Sequence, residues 1–243
     1  MKKNVVALIM IIVLALFFAA CTVGGDRDNG KKTILSIEFR FDNDTEGFEP
    51  IFADFPLDGL LDSDGNDAYQ MTYDRKMIPV PGAESYGLYI SSINRSDDVF
   101  MGYVKEISGL TANAIYTFQI SFKLATDVEE GMFGVGGAPG ESVYVKAGVT
   151  TEYPIVATAP DGHERILNVD KGNQSQGGKD LVVVGDMAKP RGAAQGFVFK
   201  NMNVERTATT NAAGQIFLII GTDSGFEGFT EYYLDDIFLS VYH

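Results

Sequence analysis

The stretch 115–124 constrains the fold more than any other part of the chain. Tyr116, Phe118, Ile120, Phe122 and Leu124 fall on one side of an extended backbone, and Thr117, Gln119, Ser121 and Lys123 on the other. Alternation of period two over this length describes a strand with one face in a core and one in water, which belongs in an antiparallel sheet. Shorter versions recur. Ile37, Phe39 and Phe41 alternate with Glu38 and Arg40, and Tyr69, Met71 and Tyr73 with Gln70 and Thr72. Further strands are expected at 99–107, 142–149, 165–169, 181–184, 196–200, 215–220 and 232–242. Pro81-Gly82, Asp161-Gly162, Gly172-Asn173 and Gly177-Gly178 punctuate them. Many short strands separated by such turns predict an all-β, antiparallel sandwich or barrel. No long amphipathic helix and no repeat of fixed period is visible after the N-terminus.

The N-terminus differs in kind. Lys2 and Lys3 precede an apolar run of 16 residues (5–20), followed by Cys21. A positive start, an apolar stretch and small residues before a cut site describe a secretory signal peptide, and the run is short for the ~20 residues of a spanning helix. Phe18-Ala19-Ala20-Cys21 resembles the lipobox of bacterial lipoproteins, with Phe18 where Leu is usual. The resemblance implies cleavage before Cys21 and lipidation of that residue, hence a membrane anchor at the cell envelope. Thr22 is compatible with sorting to an outer membrane. Three segments follow: a lipoprotein signal peptide over 1–20, a polar, glycine-rich tether over 21–32, and one β-sandwich domain over 33–243.

Cys21 is the only cysteine, so once it is lipidated the domain has no thiol for a disulfide, a zinc site or a nucleophile. The core alone must hold an exported domain of this length. The formal net charge is −14, from 33 acidic against 19 basic residues, and loss of Lys2 and Lys3 makes the mature chain more acidic still. That balance argues against nucleic acid, which requires a basic face.

The closing strand carries a local likeness. Tyr232-Tyr233-Leu234-Asp235-Asp236-Ile237-Phe238-Leu239 resembles the last strand of jelly-roll carbohydrate-binding modules of the galactose-binding-like type. Phe41-Asp42-Asn43-Asp44-Thr45-Glu46-Gly47-Phe48 corresponds to the segment that follows their first strand. The match covers two short terminal segments, and the chain lacks the Trp that such modules often stack on sugars. It implies a jelly-roll sandwich, a carbohydrate ligand, and a structural Ca2+ bound through the first Asp of the closing pair. Strict alternation would put Asp235 on the row of Tyr233, Ile237, Leu239 and Val241, where a carboxylate is costly unless paired or metal-bound. Asp42, Asp44 and Glu46 could supply further oxygens, since Ca2+ takes six to eight. The competing reading is a β-bulge at Asp235-Asp236 that turns both carboxylates outward.

Other constellations read both ways. Asp62-Ser63-Asp64-Gly65-Asn66-Asp67 begins like a calcium loop but has Tyr73 where the closing Glu would stand, which favours an acidic turn. The glycine-rich run 134–142 lacks the phosphate-loop Lys and leads into a strand, leaving a tight connection or a close approach to ligand. A short turn near 108–113 should pair strand 99–107 with strand 115–124, bringing loops 94–98 and 126–142 to one end. Arg95, Asp97, Asp98 and Glu141 would then lie together with Tyr103 and Tyr144 nearby, a mixture of charge and aromatic ring suited to a sugar. The alternative for the tyrosines is the core, since Tyr103 shares its row with Val99, Met101 and Ile107. The histidines are His163 and His243, and no nucleophilic constellation is visible. The expected function is non-catalytic carbohydrate binding by a surface lipoprotein; the alternatives are a structural or adhesive envelope protein and a carbohydrate-active enzyme.

Overall fold

A computed structural model describes residues 27–28 and 31–243. Cys21, the signal segment and most of the tether lie outside the described residues. Strands run in the order β1 (Arg27–Asp28), β2 (Lys31–Phe39), β3 (Glu49–Ala53), β4 (Phe55–Pro56), β5 (Thr72–Met77), β6 (Tyr86–Ile93), β7 (Val99–Ile107) and β8 (Ile115–Thr126). Then follow β9 (Val143–Thr150), β10 (Val156–Thr158), β11 (Glu164–Leu167), β12 (Leu181–Asp186), β13 (Val198–Thr209), β14 (Ile216–Ser224) and β15 (Phe229–Tyr242).

Every pairing is antiparallel. In the larger sheet β15 is the axis. Its first half pairs β6 and its second half β2 along one edge, while β8 runs along the other and carries β13 outside it. The second sheet has the order β12-β9-β14-β7-β3. The inward rows of both sheets share one core: Phe118, Ile120, Leu124, Leu234 and Leu239 from the first, Tyr103, Val145, Ala147, Leu218 and Ile220 from the second. From β2 to β15 the chain changes sheet at most of its connections, the winding of a jelly-roll sandwich.

Strand β8 follows its sequence pattern, with alternate residues from Tyr116 to Leu124 buried. Its expected pairing with β7 is not observed. Strand β7 lies between β14 and β3, in the opposite sheet. The connection 108–114 crosses the sandwich, because both strands bury their apolar rows in the same core and meet through side chains, not backbone. At 69–73 the expected strand starts only at Thr72, since Gln70 has φ 47° and Tyr69 is buried beneath a loop.

The two outer faces differ. The face of the second sheet is covered by the chain itself: a small sheet β10-β11-β4 and the segment leading to β12 bury Ile51, Phe100, Leu167, Val169, Leu181 and Ile219. On the face of the larger sheet across β15, β8 and β13 the outward Gln119, Ser121, Asn203, Glu205 and Phe238 stay exposed, with Ser240 and Tyr242 buried among them.

Candidate functional site

The open face is built by register. Phe238 pairs Ser121, which pairs Asn203; one step along, Ser240 pairs Gln119, which pairs Glu205. Two rows of outward side chains therefore cross three strands, with Tyr242 at the end. They line a groove of about 370 Å³. Gln119 organises it, accepting a hydrogen bond from the Tyr242 hydroxyl (3.0 Å) and donating to Glu205 Oε2 (3.1 Å). Phe238 stands beside these groups 41% exposed. An exposed ring flanked by amides, hydroxyls and one carboxylate can hold a polar molecule with apolar C–H faces. With Glu205 as the one acidic lining residue, the groove lacks the carboxylate pair of glycoside hydrolysis.

The sequence points instead to the loop end, and the structure does gather those loops. Gln174 Nε2 donates to the Asp97 carbonyl (2.9 Å), Gly225 N to the Ser142 carbonyl (2.9 Å), and Val135 bridges Glu227. Gly136 has φ 71°, and a Cβ there would overlap the Gly225 carbonyl, so the glycine-rich run is a tight connection. The predicted set is nonetheless dispersed in role. Tyr103 is 2% exposed, donates to the Tyr89 carbonyl (2.5 Å), and has its phenol pKa raised by burial; it is a core residue. Arg95 is exposed and its Nε donates to the Ala68 carbonyl, while Asp97 is exposed with φ 65°. Glu141 Oε1 accepts from Gly131 N (2.6 Å), and Tyr144 is half-buried on the outer side of β9. Asp98 turns into a buried group with Asp54, Asp223, Lys146 and Lys171.

The calcium set is not assembled. Asp235 lies on the side opposite the core-facing Leu234 and Ile237, because a bulge between Asp235 and Phe238 inserts Asp236 at φ 44° and resets the alternation. Asp235 is buried even so, beneath the loop after β5, and accepts from Ser85 Oγ (2.9 Å); burial raises its pKa against that hydrogen bond. Asp236 pairs with Lys123 at 2.6 Å. Asp42, Asp44 and Glu46 sit on an exposed or half-exposed turn, where Asp44 Oδ1 accepts from Glu46 N (2.7 Å). Among the described residues, the one set of three carboxylates with oxygens within 4.8 Å of each other is Asp54, Asp98 and Asp223. Asp62 Oδ1 likewise accepts from Asp64 N and Asn66 N, the pattern of a surface turn.

No known family and no curated protein matches the chain. Solved structures do. One described for the promiscuous specificity of carbohydrate-binding modules of the β-sandwich superfamily matches with TM-score 0.40 at 10% identity, over 81% of this chain and 58% of that one. The N-terminal modules of a Clostridium thermocellum endo-1,4-beta-D-xylanase complexed with xylohexaose match with TM-score 0.39 at 12% identity, over 84% and 28%. A carbohydrate-binding module that recognises mannan matches with TM-score 0.39 at 11% identity, over 86% and 98%. The chain thus spans less than two thirds of the first two.

Proposed function

We propose that this chain is an exported lipoprotein, held to the cell envelope through Cys21, whose sandwich binds carbohydrate without cleaving it on the open face of β15, β8 and β13. The observation that carries the reading is the groove: Phe238 at 41% exposure beside Gln119, Ser121, Asn203, Glu205 and Tyr242. A sugar ring stacks its C–H face on the phenyl ring, and the amides and hydroxyls, which donate and accept, meet its rim. Uncharged donors dominate the lining, which favours a neutral glycan over an anionic one. The apolar run ending in Ala19-Ala20-Cys21 supports the anchor, since two acyl chains give stable attachment where one is marginal.

Affinity electrophoresis through gels containing soluble neutral polysaccharides tests the binding. At least one polysaccharide should retard the protein, and Phe238→Ala should run as if it were absent. Equal mobility in every gel would refute the reading. Incorporation of a fatty-acid label by the wild type and not by Cys21→Ser tests the anchor separately.

A further inference from the structure

Three carboxylates and two amines meet where the segment leading to β12, which carries Lys171, covers the second sheet. Lys146 on β9 and Asp223 on β14 face outward from the core on neighbouring strands; Lys146 pairs Gly221 and Asp223 pairs Tyr144, so they are diagonal neighbours. Both side chains are 0% exposed, and Lys146 Nζ lies 2.6 Å from Asp223 Oδ2. The amine also donates to the carbonyls of Lys171 (2.8 Å) and Gln176 (3.0 Å). Lys171 sits between Asp223 (2.8 Å) and Asp54 (2.7 Å). Asp223 Oδ1 and Asp98 Oδ1 are buried and no donor reaches either. One proton held by Asp98 supplies the missing donor for both.

We propose that Lys146 and Asp223 react to form an intramolecular amide across β9 and β14, with Asp98 as the acid that assists. A dry Lys–Asp contact held by two strands keeps the reacting atoms together, and fixed geometry of this kind replaces a large entropic barrier. Burial and the neighbouring Asp223 charge push Asp98 up to about 8, so it holds its proton at neutral pH. Burial lowers the Lys146 pKa, bringing the free amine within reach, although Asp223 opposes this. Lys171 is held as an ammonium, because Asp223 and Asp54 outweigh its burial. Asp223 itself is held below the usual carboxylate range, because the Lys171 and Lys146 charges outweigh its burial. The resting state is therefore the ion pair, and the reaction starts with the proton that Lys146, the amine with the lowered pKa, gives up; Lys171 stays the fixed charge.

The steps balance. Lys146 passes one proton to Asp223 Oδ2. Its nitrogen lone pair then attacks Asp223 Cγ while Asp98 donates its proton to Oδ1, and the N–C bond forms. Asp98 takes back a proton from the nitrogen. One hydroxyl of the tetrahedral carbon leaves as water with the proton of the other, and the carbonyl reforms. Asp98 ends as it began, and the products are one amide and one water, with no change of oxidation state. Asp98 is the catalytic residue; the remaining N–H keeps a backbone carbonyl as its acceptor.

The test is peptide mapping of the full-length protein, purified from membranes in detergent and digested after denaturation. The expected result is a branched pair joining the peptides that hold Lys146 and Asp223, lighter by one water than their sum, with no cleavage after Lys146. Unlinked peptides from the folded wild type would overturn the proposal, and so would a branch at Lys171. Asp98→Asn should yield a folded protein with most of the branch lost; a fully linked Asp98→Asn protein would remove Asp98 from the chemistry.

Discussion

Replacing Phe238 by Ala should cost most of the affinity for glycan and little of the fold. The ring is 41% exposed and lies on the outward row of β15, whereas Ile237 and Leu239 beside it are fully buried. A phenylalanine has roughly 200 Å² to cover, so about 80 Å² is left for a ligand. At about 25 cal/mol per Å², a sugar that covers this area gains ~2 kcal/mol, which corresponds to ~30-fold in Kd. Phe238→Tyr keeps the face and should bind within about threefold of the wild type, the effect of one marginal hydrogen bond. Arg95→Ala, at the loop end, should bind like the wild type. The assay is isothermal titration with a polysaccharide that retards the protein in gels, with thermal melts of each variant alongside. If Phe238→Ala binds within about twofold of the wild type while remaining folded, the stacking argument is wrong. If Arg95→Ala is the variant that loses affinity, the ligand sits at the loop end.

Other perturbations test the fold beneath the site. Tyr103→Phe removes a buried hydroxyl from the Tyr89 carbonyl and should cost ~1–3 kcal/mol in denaturant unfolding without changing glycan affinity. Deleting Asp236 should be tolerated within ~1 kcal/mol: it removes a residue at φ 44° and restores regular alternation, at the expense of a solvent-screened pair with Lys123. The raised pKa of Asp235 gives its contribution a definite sign. The native state keeps a proton that the unfolded chain releases near pH ~4, so stability is fullest below that value and falls as pH rises through the folded pKa. Denaturant midpoints should fall less over this range in Asp235→Asn than in the wild type, the rest of the decline coming from other carboxyls raised by burial, Asp98 and Asp54 among them.

Legibility in the sequence followed exposure. Strand β8 has one wet face and one dry face, so its alternation states both its type and its inward row. Strands β6 and β14 are covered on both sides; β14 is buried throughout, including Thr222, Asp223 and Ser224, and no alternation survives to mark its end. The closing strand is legible as a strand, but one left-handed residue after Asp235 turns Ile237, Leu239 and Val241 to the core side and leaves Asp235 on the outer side with Tyr233. The loop end rests on an expected pairing of β7 with β8 that is not observed; a short connection between strands of opposite sheets reverses the chain as well, so the loops still meet at one end. The groove needs the register of β15, β8 and β13 together. The sequence pattern marks only 196–200 of the β13 region as strand, yet Asn201, Asn203, Glu205 and Thr207 continue an outward polar row opposite the polar row of β8. Lys146 gave no signal at all, because a lysine in a strand reads as solvated until the covering segment is seen.

Hydrogen–deuterium exchange of the full-length protein, with and without the polysaccharide that retards it, tests the open-face assignment most directly. Slowed exchange confined to β15 around Phe238, β8 around Gln119 and β13 around Asn203 is the predicted result. Protection concentrated at 94–98 and 134–142, with those three strands unchanged, would contradict it.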